Sequence, residues 1–295
     1  MKVSVIGGDK RMLFAAKAFS DAGCEVCVSG FDDLKSLCDI RVGSIEEAAL
    51  FADIAVLPVR PVSEGCLSAP FSARSITIPE LMSIIGDKTV FTGCAEMIEP
   101  YAVGKVYDYA CREDFTYRNA EITAEAALGI IISDYEGSVY GSDILVLGYG
   151  RIGKIIVRYL KALGAHVTVA ARKLSDRSVI QLFGMNAVDF NNIPYENYNI
   201  IFNTVPAQVI DREALGRMSG DVFIIDLASL PGGVDLEAAR ERELTCIRAL
   251  SLPGKSAPSA AGMIIKDTIF EIIKEENGGK DYSGLRDDGL LLHLG

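Results

Sequence analysis

The chain has 295 residues, of which 49% are hydrophobic and 23% charged, and its formal net charge is −11. This length exceeds the roughly 250 residues at which one hydrophobic core stops growing, so two domains are expected; the acidic balance excludes nucleic acid and anionic membrane as general partners while leaving room for a local basic pocket. No apolar run approaches the about 18 residues that a spanning helix needs, and Met1-Lys2-Val3-Ser4-Val5 enters a strand directly, so no membrane association and a cytoplasmic location are expected.

Residues 2–6 read as a strand running into Gly7-Gly8-Asp9, followed by a helix over 11–20 and a stop at Gly23. The turn lacks the third small residue of a dinucleotide fingerprint, with Arg11 and Met12 standing in its place, so this α/β unit is expected to hold substrate in place of dinucleotide. Two glycines at a helix start expose backbone N–H groups, and Arg11 adds a fixed positive charge, which together favour an anion. The plain alternative for Arg11 is a helix-surface charge.

Seven cysteines, at positions 24, 27, 38, 66, 94, 111 and 246, fit no repeated metal-ligand spacing. The odd count points to reduced thiols, and no metal site is expected. Cys24-x-x-Cys27 sits within a predicted strand over 24–28, where residues three apart face opposite sides, so both read as small buried hydrophobes.

Further strands are predicted over 54–59, 88–92 and 106–110. Each ends in a candidate loop, respectively Pro58-Val59-Arg60-Pro61, Thr92-Gly93-Cys94 and Arg112-Glu113-Asp114, because open α/β sheets bind ligands beyond the carboxyl ends of their strands. Residues 117–135, which contain EITAEAALGIII, are strongly helical and end where Gly137 and Gly141 announce a second domain. They read as an interdomain helix.

Residues 144–153, ILVLGYGRIG, form the most informative stretch, a strand running into Gly148-x-Gly150-x-x-Gly153 at the start of a helix over 154–163. Gly148 permits the tight turn, Gly150 admits a pyrophosphate, and Gly153 lets helix and strand pack closely. Gly148, Tyr149, Gly150, Arg151, Ile152 and Gly153 are therefore candidate cofactor ligands. The next strand, over 165–170, leads to Ala171-Arg172-Lys173 and Ser175, with no Asp or Glu at the strand's end to bind a ribose 2′-hydroxyl. Arg172, with Lys173 and Ser175, suits a 2′-phosphate, so NADP is expected, NAD being the alternative. A solvated basic loop is the plain reading of the same residues.

Strands over 199–205, 222–226 and 245–250 end in Asn203-Thr204-Val205-Pro206, in Asp226-Leu227-Ala228-Ser229-Leu230-Pro231-Gly232-Gly233 and in Ser251-Leu252-Pro253-Gly254. These loops are expected on the cofactor side, adding Asn203, Thr204 and Pro206 to the cofactor set. A helix over 259–274 follows, read as packing back across a cleft onto the first domain. The two histidines, His166 and His293, supply neither the acid/base of a histidine-dependent 2-hydroxy-acid dehydrogenase nor a zinc cluster.

Several stretches taken together resemble a known family. They are Val5-Ile6-Gly7-Gly8-Asp9-x-Arg11, Gly30-Phe31-Asp32, Leu57-Pro58-Val59, the spaced Asn119, Thr123 and Glu125, Gly141-Ser142 leading into Val146-Leu147-Gly148-x-Gly150-Arg151-x-Gly153, Ala162-Leu163-Gly164-Ala165, Asn203-Thr204-x-Pro206, Asp226-Leu227-Ala228-Ser229-x-Pro231-Gly232-Gly233, and Leu252-Pro253-Gly254-x-x-Ala257-Pro258-x-x-Ala261-Gly262. In this order they resemble the A subunits of dipicolinate synthase, the enzyme of dipicolinic acid biosynthesis in spore-forming bacteria. The resemblance implies a pyridine-nucleotide-dependent oxidation of a dihydrodipicolinate-level precursor from the lysine pathway during sporulation, and a partner in the flavoprotein-like B subunit. It also implies a dicarboxylate substrate, for which Gly8, Asp9, Arg11, Thr92, Gly93 and Ser229 are candidate ligands. Asp226 is a candidate proton acceptor, with a helix cap or backbone acceptor as its plain reading, and Glu125 a candidate for orienting substrate or nicotinamide, with a solvated helix residue as its plain reading.

The expected fold class is α/β, with two Rossmann-like domains of doubly wound parallel sheets, an interdomain helix and a returning C-terminal helix. The expected division is a substrate domain at 1–118, an NADP domain at 119–255 that includes the linking helix 119–135, a helix at 256–276 packing across the cleft, and a flexible tail at 277–295. Self-association into a homo-oligomer stays open. Two other functions fit the same residues: a non-catalytic NADP(H)-sensing module, and an alanine-dehydrogenase-like or imine-reducing enzyme.

Overall fold

The computed structural model describes residues 1–32 and 40–278, so Cys38 and most of the expected tail lie outside the described residues. The chain divides into two compact units, Met1–Asn119 together with Pro253–Gly295, and Ala120–Leu252. No helix among the described residues is long and apolar enough to cross a membrane.

The first unit opens with β1 (Lys2–Ile6), α1 (Lys10–Asp21), β2 (Glu25–Ser29), β3 (Arg41–Val42), α2 (Ile45–Phe51) and β4 (Ile54–Val56). It continues through a hairpin of β5 (Val62–Ser63) and β6 (Cys66–Leu67), α3 (Ile78–Ile85), β7 (Thr89–Thr92) and β8 (Val106–Asp108), and leads into α4 (Glu113–Asp134). Its sheet has the order β3-β2-β1-β4-β7-β8 with every pairing parallel. Helices on both faces explain why every residue of β1 and β2 after the first is buried, since neither face meets water. Val3, Val5, Val26, Val28, Ile54 and Val56 pack on one side, and Ile6, Cys27, Ala55, Leu57 and Val90 on the other. Cys24 joins the first cluster and Cys27 the second, so the Cys24-x-x-Cys27 pair is divided by the sheet.

The second unit follows as β9 (Asp143–Leu147), α5 (Arg151–Ala162), β10 (His166–Ala170), α6 (Leu174–Leu182), β11 (Asn186–Val188), β12 (Ile200–Asn203), α7 (Arg212–Gly216), β13 (Phe223–Asp226), α8 (Leu236–Glu241) and β14 (Thr245–Arg248). Its sheet order is β11-β10-β9-β12-β13-β14, again all parallel. Both sheets thus have the doubly wound order, with the strand order reversing between β1 and β4 in one and between β9 and β12 in the other.

The chain ends, as described, in α9 (Leu252–Ser256) and α10 (Pro258–Glu276). In the first unit α10 buries Ile265, Ile269 and Ile272 in the same cluster as Met12, Ala15, Ala16 and Phe19 of α1. A Cβ on Gly262 would lie 2.5 Å from the Ala15 nitrogen and 2.7 Å from the Arg11 oxygen, so the two helices meet there backbone to backbone. Arg112 donates to both carboxylate oxygens of Glu275, at 2.7 and 2.8 Å, and ties the base of α4 to the same helix.

Several boundaries differ from the sequence reading. Helix α4 starts at Glu113, four residues before the expected 117, because Glu113 and Asp114 place carboxylates in its positive first turn. Strand β8 stops at Asp108, whose Oδ1 accepts from Ala110 and Cys111 nitrogens and turns the chain early.

Candidate functional site

At the carboxyl edge of the second unit, the three glycines after β9 play three separate parts. Gly148 has φ +97°, and a Cβ there would meet Thr204 Oγ1 at 2.5 Å. Gly153 is buried, and its Cβ would lie 2.3 Å from the Gly148 oxygen, so only glycine allows α5 to approach the strand so closely. Around Gly150 the space is empty, with nothing within 4 Å of a Cβ. Gly150 is also the N-cap of α5 and offers no side-chain acceptor to the helix's first N–H groups. An open space at a helix start with no side-chain cap is the geometry that receives a pyrophosphate. Tyr149 lies half-buried beside it under the Lys154 ammonium, 5.4 Å from the ring centroid, while Arg151 is exposed and Ile152 half-buried.

After β10, Arg177 donates to the carbonyls of Ala171 and Arg172 and to Asp189, at 2.7, 2.9 and 2.7 Å. The loop is thereby fixed, while the side chains of Arg172, Lys173 and Ser175 stay exposed. One residue escaped the sequence reading. Asp176, in the first turn of α6, acts on Tyr149, whose hydroxyl pKa is raised by burial and further by this carboxylate. The signal was a carboxylate four positions past Arg172, beyond the strand end where an acidic residue is sought.

The loops after β12 and β13 are joined. Asn203 is fully buried and donates to Asp226 Oδ1 at 2.7 Å and to the Val205 oxygen at 3.1 Å, while its own oxygen accepts from the Val205 nitrogen. Asp226, 1% exposed, also accepts from Ala228 and Gly233 nitrogens at 3.2 and 3.1 Å. Each of these groups already has its partners. Asn203 and Asp226 therefore shape the loops, and the bonds of Asp226 match its plain reading as a backbone acceptor. Thr204 donates to the Leu147 oxygen at 2.8 Å and props the fingerprint turn; Pro206 and Ser229 are exposed at the rim. Gly233 is required by this arrangement, since its Cβ would fall 2.1 Å from Asn203 Nδ2. Glu125 is exposed on α4, near Tyr159, and is hydrogen-bonded to none of the other candidate residues among the described residues.

The carboxyl edge of the first unit is built differently. Gly7 donates to the Ser29 oxygen at 2.9 Å and Gly8 to the Ser68 oxygen at 2.7 Å. The expectation that these N–H groups lie free for an anion is corrected: the segment after the hairpin takes one and the end of β2 the other. Leu67 lies against Gly7, and Pro58 and Met12 against Gly8. Arg11, whose side chain is 15% exposed, binds Asp9 through Nε at 2.9 Å and Nη2 at 2.7 Å, and the Gly254 backbone rests on this pair. Thr92 is fully buried and donates to the Pro58 and Gly93 oxygens, so its hydroxyl also departs from the expected role of a ligand donor. Gly93 donates to the Pro58 oxygen at 3.2 Å.

Among the described residues no group of three or more His, Cys, Asp or Glu side chains is arranged to hold a metal ion. The six cysteines in the described residues are all free thiols.

Comparison with known proteins agrees with this architecture. Residues 2–99 match the N-terminal domain of the dipicolinate synthase A subunit, and residues 123–231 match the NAD binding domain of D-isomer specific 2-hydroxyacid dehydrogenases. The dipicolinate synthase A subunit of Bacillus subtilis (strain 168) is 29% identical over 292 residues, covering 93% of this chain and 96% of the relative. The crystal structure of the corresponding A subunit from Bacillus halodurans superimposes with TM-score 0.82 at 28% identity, over 92% of this chain and 97% of that one. The crystal structure of the Bacillus subtilis protein gives the same TM-score and identity over 95% and 98%. The resemblance read from the sequence therefore holds over almost the whole chain, and the second unit is a nicotinamide-dinucleotide-binding domain of the dehydrogenase kind.

Proposed function

We propose that this relative of the dipicolinate synthase A subunits is an NADP-dependent dehydrogenase that oxidises a dihydrodipicolinate-level cyclic dicarboxylate to aromatic dipicolinate. The observation that carries the cofactor half is the empty space at Gly150 beside the uncapped start of α5, with Arg172 and Lys173 exposed after β10. A nicotinamide dinucleotide held at Gly150 would supply the acceptor for a hydride from a ring carbon. The ring also loses a proton, and aromatisation drives the step, so a dedicated strong acid/base pair is less necessary than in alcohol oxidation. Asp226 then acts as a positioning residue, holding Asn203 and the loop through Gly233 in one conformation.

The substrate half is proposed for the first unit, where the Asp9 carboxylate caps the start of α1 and the Gly8 donor is committed to Ser68, which supports a ligand other than a dinucleotide. A dipicolinate synthase B subunit is the proposed partner. The test is to mix the full chain with NADP+ and dihydrodipicolinate, with and without that B subunit, and follow 340 nm absorbance. Absorbance growing with substrate supports the proposal. Tight NADPH binding without turnover under either condition would favour a cofactor-sensing module. Turnover of acyclic 2-oxo acids with ammonia would favour an imine-reducing enzyme.

A further inference from the structure

Among the described residues of the first unit, every arginine but one has a partner. Of the arginines among the described residues of the first unit, Arg11 binds Asp9, Arg41 lies 4.9 Å from the centre of the Phe51 ring, Arg74 bridges Glu46 and Glu80, Arg112 binds Glu275 and Asp114, and Arg118 binds Asp267. Arg60 is exposed and has no hydrogen bond, ion pair or ring contact among the described residues.

Its position adds the second observation. Arg60 stands on the loop after β4, and β4 adjoins β1 at the point where the strand order of this sheet reverses. Ligands of open α/β sheets collect at the carboxyl end of that point. Arg11, after β1, stands on the other side of it.

The loop that carries Arg60 is held rigid. Leu57 donates to the Phe91 oxygen at 2.8 Å and accepts from the buried Tyr109 hydroxyl at 2.9 Å. Pro58 accepts from the Gly93 nitrogen and from Thr92, and Pro61 accepts from the Ser68 nitrogen at 2.8 Å. A Cβ on Gly93 would lie 2.2 Å from the Val59 oxygen, so the β7 loop presses directly on this segment. The committed groups of Thr92 and Gly93 thus gain a purpose, which is to fix the backbone of 58–61. Arg60 also lies close enough to Cys94, in the loop after β7, to oppose the rise in that thiol's pKa caused by burial. The rigid backbone fixes where the Arg60 side chain starts, and its guanidinium, with no internal partner, is available to the planar fork of a carboxylate.

We propose that Arg60 is a specificity-determining residue that binds one carboxylate of the dicarboxylate substrate. This rests on the reading above that the substrate is a cyclic dicarboxylate. Arg11, with Nε and Nη2 engaged by Asp9, is the lesser anchor, and Arg60 supplies the charge that distinguishes a diacid from a monoacid.

The test measures binding of dipicolinate and of pyridine-2-carboxylate to the full chain by calorimetry, alongside NADPH binding, for the wild type, Arg60→Ala and Arg60→Lys. Wild-type protein is expected to prefer the diacid. Arg60→Ala is expected to lose diacid affinity about 10- to 100-fold, the scale of one charged hydrogen-bond pair, and with it the preference, while NADPH affinity is unchanged. Arg60→Lys should recover part of the loss, because charge returns without the fork. If the wild type binds the diacid and Arg60→Ala binds it equally well, the assignment of Arg60 is overturned while the proposed activity stands. If the wild type binds no diacid and turns over no dihydrodipicolinate, both fall together.

Discussion

Gly150 and Gly153 stand one helical turn apart and differ in what a methyl group would meet. At Gly150 the space is empty, and at Gly153 a Cβ would fall 2.3 Å from a backbone oxygen. Gly150→Val is therefore expected to melt close to wild type in differential scanning fluorimetry and to lose NADPH binding. Gly153→Ala should lower the melting temperature even without cofactor. Equal effects of the two would mean that both glycines serve only the turn. Arg172, exposed and flanked by Lys173, makes a second residue-scale case: Arg172→Ala should weaken NADPH by roughly 1.5 to 3 kcal/mol and NADH much less. The half-buried thiol of Cys246 gives a pH dependence. Burial, aided by Asp226, pushes it up to about 11 from 9.0, so the folded state keeps its proton where the unfolded state has lost it. That contribution is complete below pH 9 and is lost as pH rises towards 11, so urea midpoints should fall across this window, and less steeply in Cys246→Ala.

At the scale of elements, α10 is the test of how the first unit is assembled. Ile269 is fully buried against α1, and Ile269→Ala should cost about 2 to 5 kcal/mol of unfolding free energy in urea titration. Gly262→Val, which places side-chain atoms where α1's backbone runs, should be at least as damaging. Much of this was legible in the sequence: the fingerprint after β9, the apolar strands and the helix ending in Glu276 all follow from periodicity and glycine placement. The motif around Gly254 and Gly262 could be read but not explained, because its reason is a helix far away in sequence, with Gly254 resting on the Asp9–Arg11 pair and Gly262 on the α1 backbone. The hairpin of β5 and β6 was invisible, since two strands of two residues each carry no period. Helix α2 left a signal that went unread, the capping box of Ser44 and Glu47. At the candidate site, the residues could be named from sequence, but the acceptors of Gly7, Gly8, Thr92 and Asn203 could not. Gly8 donates to Ser68 and Thr92 to Pro58, partners tens of residues away, which only the packed sheet brings near.

Across the whole molecule the two units share one strand order and differ in what occupies the point where that order reverses. In the second unit Gly150 faces empty space at a helix start with no side-chain cap; in the first, the Asp9 carboxylate caps the helix and Ser68 accepts from Gly8. Duplicate topology therefore does not imply duplicate ligands, because a short hairpin inserted after β4 is enough to change the chemistry of the edge. The consequence can be read by hydrogen–deuterium exchange on the full chain with one ligand added at a time. NADP+ is expected to slow exchange in peptides covering 148–153, 171–175 and 203–206, and dipicolinate in those covering 7–12 and 57–61. Protection of 7–12 by NADP+ together with no change at 148–153 would reverse the roles of the two units. Because the turn after β1 has no backbone donor left at Gly7 or Gly8, dipicolinate should protect the Arg60 segment more than the glycine turn itself. The same measurement on Arg60→Ala should remove that protection and leave the NADP+ pattern in the second unit as it was.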